Sequence, residues 1–352
     1  MSLSGKVVLL TPAGIGGIAT YSRELERFWA LGDPKISVWK VPRSTFVGWF
    51  LYAPKLTLFF FCLLIARPKV VHVNLASKGS PIRKFPYVCL ARLFKIKVVT
   101  QLHSGRFHDD LMKASGTSIW LAITKRILYA SEKLIFINQT QMNALLENGF
   151  ASKHQCFFLP NHVHLPSIRE YARKSVINDA VFIGRFSKEK GANELIRALE
   201  MLSGSPKKIA VVGSVDVGGF KPGKLALIGR HEVTFFGEVP HPKAMSILES
   251  SRMLVLPSHS ENFPMVILEA FARGVPVIAS RVGAVPNIIE DGKDGLLVNT
   301  QDSRDLHDKL RHYFDTPQLV HEHGVMARKK VEQLYDIQHY AAKLTEIYFS
   351  ER

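Results

Sequence analysis

Met253 to Leu256 is a short apolar run that stops at Pro257. A polar loop from Ser258 follows, and Met265 to Arg273 has helical composition and closes at Gly274. A run so short and apolar is a strand buried on both faces, and Pro264 is tolerated in the opening turn of the helix. The segment therefore reads as strand, loop, helix. Free backbone N–H groups and the positive end of the helix dipole point out of such a loop, which makes it a seat for a phosphate. Two carboxylates flank that seat, Glu261 in the loop and Glu269 within the first two turns of the helix. Both suit hydroxyls on either side of an anion better than the anion itself. The bland alternative is an exposed loop acid and a solvated helix acid.

The same alternation runs through the chain. Strand patterns at Lys6 to Thr11, Ile36 to Val41, Val70 to Val73, Lys97 to Leu102 and Lys133 to Ile137 precede a polar stretch, Ser167 to Asp179, which reads as a linker. The pattern restarts at Ala180 to Ile183 and continues through Lys208 to Gly213, Val233 to Val239, Pro276 to Ser280 and Gly295 to Val298, with helices between. Alternation in both halves predicts an α/β protein of two Rossmann-like, doubly wound parallel sheets facing each other across a cleft. The domains are expected at 1–167 and 168–335. A helical tail, 336–352, carries Tyr340, Leu344, Ile347 and Tyr348 on one stripe and is expected to return to the first domain. The length of 352 residues gives each domain a core of its own. Cys62, Cys89 and Cys156 are widely spaced in apolar runs and read as reduced packing residues of a cytosolic protein. With the polar start Met1 to Gly5 leading straight into a strand, no signal peptide is expected.

Charge is uneven. Residues 1–165 hold 21 Lys and Arg against 7 Asp and Glu, a surplus of +14, whereas the remainder holds 25 against 23, or +2. Such a field attracts nucleic acid, anionic lipid or a pyrophosphate carrier. No recognition-helix or RNA-binding motif is present, so nucleic acid is not expected as a partner. From Phe46 to Ala66 the chain is almost wholly apolar but is interrupted at Pro54-Lys55, and Leu56 to Ala66 is too short to cross a bilayer of about 30 Å. A buried helix is predicted there, with shallow membrane insertion as the alternative. If Pro81 opens a helix over Ser80 to Lys97, a 100° step gathers Arg83, Lys84, Arg92 and Lys95 on one half of the wheel, with Phe85, Cys89, Leu90, Leu93 and Phe94 mainly opposite. That pattern suits an anionic membrane surface, each cation contributing about 1 kcal/mol. A solvated basic face over an ordinary core stripe is the alternative.

Three further loops at strand ends carry chemistry. Pro12 to Gly17 is glycine-rich, and Gly14, Gly16 and Ala19 fit the dinucleotide pattern G-x-G-x-x-A. A dehydrogenase would end its second strand in a ribose-binding acid, and this chain offers Lys40. His103 follows the strand Lys97 to Leu102 at the end that borders a ligand crevice. Arg185 and Lys190, in Gly184 to Gly191, place two cations on another such loop.

Glu261-Asn262-Phe263-Pro264 through Glu269, then Gly274 to Ser280, Gly283 and Pro286, resembles the signature of the retaining GT-B glycosyltransferases of family 4. The resemblance implies a nucleotide diphosphate sugar donor, UDP-sugar preferred and GDP-mannose possible, and transfer of a hexose or N-acetylhexosamine. It assigns Glu261 to sugar hydroxyls, Glu269 to ribose hydroxyls, and Arg185 and Lys190 to the departing diphosphate. Gly16 and Gly17 would lie against the diphosphate or nascent bond, and Gly184, Asn262, Phe263, Pro264 and Met265 would line the donor site. The backbone of Val233 to Val239, with Gly237 and Val239, would hold the nucleobase. His103 would position sugar and acceptor. Two departures from the family's pattern, Asn138 where serine is common and His162 where glycine is, affect hinge or crevice details. Attack from the same face, with the donor phosphate taking the acceptor proton, is the implied mechanism. The sequence holds no Asp-x-Asp pair, so neither metal nor cofactor is expected. Basic charge beside apolar surface points to a lipid-linked or glycan acceptor in bacterial surface polysaccharide assembly, on the cytoplasmic face of the inner membrane, with Arg83, Lys84, Arg92 and Lys95 facing lipid. The competing readings are a nucleotide-sugar 2-epimerase of the same fold and a non-catalytic protein that binds anionic membranes.

Overall fold

A computed structural model describes residues 7–13, 17–29, 35–42, 48, 50–77, 79–104, 107–113, 118–166, 176–217, 219–221 and 223–350. The chain divides into two compact units, Met1–His162 with Ile337–Arg352, and Val163–Asp336.

The first unit alternates β1 (Val7–Pro12), α1 (Gly17–Phe28), β2 (Ile36–Val41), α2 (Tyr52–Ala66), β3 (Val70–Leu75), α3 (Ser80–Leu93), β4 (Lys97–Leu102), α4 (Phe107–Lys113), α5 (Ile119–Ala130), β5 (Lys133–Phe136), α6 (Gln139–Glu147) and β6 (Cys156–Phe158). Its sheet runs β2-β1-β3-β4-β5-β6, parallel throughout, with Val7 opposite both Ile36 and Val70. Successive residues of a strand face opposite ways, so β1 feeds two cores. Val8 and Leu10 pack with Phe59, Leu63, Tyr87 and Val88 on one side. Val7 and Leu9 pack with Tyr21, Leu25, Trp29 and the tail residues Tyr340, Leu344 and Tyr348 on the other. Leu344 is fully buried, and a side chain so placed contributes about 1.5–3 kcal/mol.

Two expectations fail in this unit. The apolar run at Leu56 to Ala66 is not a buried helix. Within α2 only Phe59 and Leu63 are buried, while Leu58, Phe61, Leu64 and Ile65 stay exposed. One face meets the core, and nothing among the described residues covers the other. The wheel drawn for Ser80 to Lys97 also turns out differently, because α3 buries Pro81, Lys84, Tyr87, Val88 and Ala91. Lys84 therefore points inward, Leu93 is 72% exposed, and Lys95 lies past the helix end in a left-handed conformation at φ 57°. Helical spacing gathers the basic residues loosely but does not say which face the neighbouring strand covers. No described helix is long and apolar enough to cross a membrane.

The second unit comprises β7 (Ala180–Ile183), α7 (Ala192–Met201), β8 (Lys208–Val212), β9 (Leu225–Ile228), β10 (His231–Gly237), α8 (His241–Glu249), β11 (Leu254–Leu256), α9 (Met265–Phe271), β12 (Val277–Ser280), α10 (Val285–Ile288), β13 (Gly295–Val298), α11 (Ser303–Asp315) and α12 (Pro317–Leu334); α13 (Ile337–Phe349) belongs to the first unit. The sheet order is β13-β12-β11-β7-β8-β10-β9, and only β9 runs antiparallel to its neighbour. In each unit the strand order reverses beside the first strand, between β1 and β3 and between β7 and β11. An open parallel sheet binds ligands beyond the carboxyl ends of the strands at such a point. Residues 167–175 of the expected linker, and Gly14 and Gly16, lie outside the described residues.

Candidate active site

In the second unit the loops after β7, β11 and β12 meet at the carboxyl edge of the sheet, and glycine permits the approach. Gly191 holds φ 76°, and a Cβ there would come within 2.0 Å of the Pro257 carbonyl oxygen. Gly283, at φ 55°, would put a Cβ 1.8 Å from the Glu261 carbonyl oxygen. L-residues avoid this backbone region, so close contact and conformation both select glycine. His259 N–H donates to Glu189 O at 2.9 Å and Ala284 N–H to Asn262 O at 2.9 Å, which ties the three loops together.

That packing assembles a charged cluster. Lys190 Nζ donates to Glu261 Oε1 at 2.6 Å, and Ser258 Oγ donates to the same oxygen at 2.8 Å. The Glu261 side chain is 11% exposed and the Lys190 side chain 33%, so the pair is shielded yet reachable. Arg185, expected beside Lys190, is 63% exposed and lies 3.7 Å from Asp216. Gly184, next to it, leaves β7 at φ 149°.

The helix after the loop is shorter than the composition suggests. α9 covers Met265–Phe271 with Pro264 as its N-cap, and it ends in a turn that Gly274 closes at φ 62°. Phe263 and Pro264 are buried, Asn262 and Met265 partly so, and the Phe263 ring lies 6.1 Å from that of Tyr335. Glu269 sits on the buried face of α9, and its Oε1 is 2.7 Å from His241 Nε2. His241 opens α8 immediately beyond the stretch that ends at Val239-Pro240, and Gly237 ends β10 at φ 72°. Sequence reasoning missed His241. The available signal was a histidine placed two residues after the expected nucleobase-binding segment, but nothing local says it reaches Glu269.

The first unit gathers buried polar groups instead. Gly17 opens α1 after β1. His103 follows β4, its N–H donating to Leu75 O at 2.8 Å and its Nε2 lying 2.8 Å from Asn74 Oδ1. Burial, with His72 and Lys84 nearby, holds the His103 imidazole well below its ordinary range and therefore uncharged. Lys84 Nζ donates to the Asn74 carbonyl and, at 3.1 Å, to Ser80 Oγ, and burial brings its ammonium down to about 7. Beside these, Tyr21 Oη donates to Gln101 Oε1 at 2.6 Å and meets Tyr340 Oη at 2.7 Å, while His72 Nδ1 meets Tyr348 Oη at 2.6 Å. His162 is fully buried, 4.4 Å from the Tyr340 ring. Asn138 caps α6, accepting from Thr140 N–H at 2.9 Å, the task a serine would perform. Of the four cations assigned to a membrane face, Arg92 pairs with Glu132 at 3.2 Å, Arg83 is half-buried, Lys95 is exposed and Lys84 is interior.

Two doubly wound parallel sheets, each with its candidate residues at the switch point, define the GT-B architecture of glycosyltransferases. Solved structures share it. Sucrose-phosphate synthase of Thermosynechococcus elongatus superposes with a TM-score of 0.70 at 20% identity, covering 97% of this chain and 98% of that one. Anabaena HepE, solved in complex with UDP, does so with a TM-score of 0.68 at 16% identity over 98% and 99%. Residues 167–330 match the model of the family described as glycosyl transferases group 1. Among curated relatives, the putative teichuronic acid biosynthesis glycosyltransferase TuaC of Bacillus subtilis is 29% identical over 258 residues, 70% of this chain and 61% of the relative. The first relatives are matched over 61% to 70% of their own length.

Proposed function

We propose that this chain is a retaining, metal-independent hexosyltransferase that takes a nucleotide diphosphate sugar, preferably a UDP-sugar, and glycosylates a lipid-linked or glycan acceptor in cell-surface polysaccharide assembly. The observation that carries the reading is the Ser258–Glu261–Lys190 cluster at the β7/β11 switch point. An ammonium has three donors, so Lys190 can hold Glu261 and a phosphate oxygen together. In the reaction the bond from the anomeric carbon to the diphosphate breaks, an acceptor hydroxyl attacks from the same face, and its proton passes to the departing phosphate. Lys190 and Arg185 neutralise the charge that develops on the leaving group, which preorganised cations do well in a water-poor site. Glu261 orients the sugar hydroxyls, Glu269 the ribose, and His103 the sugar and acceptor. UDP as nucleotide is supported by the HepE complex, and the polysaccharide pathway by the name that TuaC carries.

An anionic bilayer is the proposed partner of the first unit, which would place the protein peripherally on the inner membrane. Its support lies beside the surface first expected. Residues 34–108 contain 13 Lys and Arg and no Asp or Glu. Arg67, Lys69 and Lys95 line a cavity of about 460 Å³ with Pro68, Phe94 and Ile96. The exposed Phe61, Leu64 and Ile65 of α2 lie close by, since Phe60 touches Phe94 at 5.4 Å between ring centroids. Cations around an apolar face suit the headgroup region of a membrane.

Thermal-shift measurements with a panel of nucleotide sugars test the donor. A ligand at about 100 times its Kd adds about 2.7 kcal/mol, so UDP or a UDP-sugar should raise Tm clearly. No shift with any nucleotide diphosphate would remove the enzyme, and sugar altered without an acceptor would replace transfer by epimerisation. Weaker sedimentation of Phe61→Ser/Ile65→Ser with phosphatidylglycerol vesicles is the expected membrane result; unchanged sedimentation would remove the bilayer alone.

A further inference from the structure

We infer that Asn74 is the positioning residue for His103: a fixed chain of hydrogen bonds running from α1 through Ser22 and Asn74 sets which nitrogen of the imidazole carries the proton. The inference rests on the proposed function only for what the ring then does.

The chain can be read from its donors and acceptors alone. Ser22 Oγ donates either to the Ile18 carbonyl at 2.8 Å or to Thr11 Oγ1 at 2.9 Å. With its single hydrogen on either of these acceptors, Ser22 accepts from Asn74 Nδ2, 3.2 Å away. Asn74 must therefore present Nδ2 to Ser22, which turns Oδ1 toward His103 Nε2 at 2.8 Å. An amide oxygen only accepts, so Nε2 bears the hydrogen and Nδ1 is the acceptor atom of the neutral ring. Asn74 is the next-to-last residue of β3 with its side chain fully buried, and Lys84 holds the carbonyl of the same residue. Neither side chain nor peptide can turn without breaking several bonds. Any hydroxyl that meets the ring at Nδ1 must then donate to it.

Tyr21, with ring centroids 5.0 Å apart, and His72 and Lys84 lie around this ring. None of them supplies negative charge at neutral pH, and the ring stays uncharged.

Long-range proton–nitrogen NMR spectra of the histidine-labelled full chain test the assignment, with the His103→Gln spectrum identifying the signal. The expected result is a neutral ring protonated at Nε2 from pH 6 to 8. A ring protonated at Nδ1, or at both nitrogens, overturns the inference without any variant having to fold. In Asn74→Asp the new carboxylate accepts from Nε2 and favours the imidazolium, so the His103 titration should rise by about 1–3 pH units. An unmoved titration overturns the inference as well. If His103 contacts substrate, the pH profile of kcat/KM gains an acid limb at the shifted value. Should the titration move and the profile not follow, Asn74 still fixes the ring, and it is the place of His103 in transfer that fails.

Discussion

The two units put opposite physics at corresponding places in their sheets. At the β7/β11 switch point the candidate groups are ions that neutralise each other, Lys190 on Glu261, and they remain partly open to solvent. At the β1/β3 switch point they are buried polar side chains with little charge: His103 and His72 are held neutral, and burial lowers Lys84 to about 7, so it is partly discharged at neutral pH. From the basic surplus of the first 165 residues Lys84 enters this interior, and it does so as a hydrogen-bond donor to Asn74. Net charge thus says what a surface attracts, while the chemistry of a site follows from which charges are dehydrated and which are paired.

The largest effect should come from the paired charges. Glu269→Ala and Lys190→Ala are each expected to lower transfer by about 10²- to 10³-fold, the scale of losing one preorganised contact in a reacting site. Steady-state rates with the preferred donor check this, and circular dichroism should show the fold retained. Wild-type rates in both variants would leave the second unit's cluster structural.

Acid should separate the units. His72 and His162 are lowered from 6.5 to about 3 by burial. The unfolded chain binds these protons first, so the stability they protect is complete above pH 6.5, declines as pH falls, and is gone below about pH 3. At pH 5 each costs about 2 kcal/mol relative to neutral pH. Hydrogen exchange at the two pH values should show β1 and β3 losing protection before β7 and β11, in whose unit His323 is lowered by burial but held up by Asp294 and Glu322. Equal loss in both would erase the contrast.

The same contrast explains what could be read from the chain. The second unit's site lies within contiguous segments, Gly184 to Gly191 and Ser258 to Glu269, and the strands that lead into them, β7 and β11, are wholly apolar, so both strands and loops were legible. Strand β9 was not, because an edge strand exposes Leu225 and Leu227 and buries only Ile228 at its end. In the first unit His103 was visible as a loop histidine, but its partners Asn74, Ser22 and Lys84 come from three other elements. The face buried by α3 was misjudged for the same reason: a helical wheel does not show that the Asn74 carbonyl waits for Lys84.

A smaller effect sharpens the reading of Glu269. His241→Ala removes the 2.7 Å contact to its carboxylate from a side chain that is 50% exposed. Stability should change little, whereas UDP binding should weaken by about tenfold, the value of a hydrogen bond to a charged group. Calorimetry measures both, and a large drop in Tm with unchanged affinity would make His241 a packing residue.

The smallest effect concerns Arg92, a cation claimed both by its pair with Glu132 and by the proposed membrane surface. Its pair with Glu132 spans 3.2 Å between side chains 48% and 26% exposed, so Arg92→Ala should shift stability by less than about 0.5 kcal/mol. If α3 and α2 border a bilayer, the same change should cost about 1 kcal/mol of vesicle affinity, roughly fivefold, and the loss should shrink as salt rises. A stability loss above 1 kcal/mol with no change in vesicle binding would show that Arg92 serves the fold, leaving Arg67, Lys69 and Lys95 as the cations a bilayer could meet.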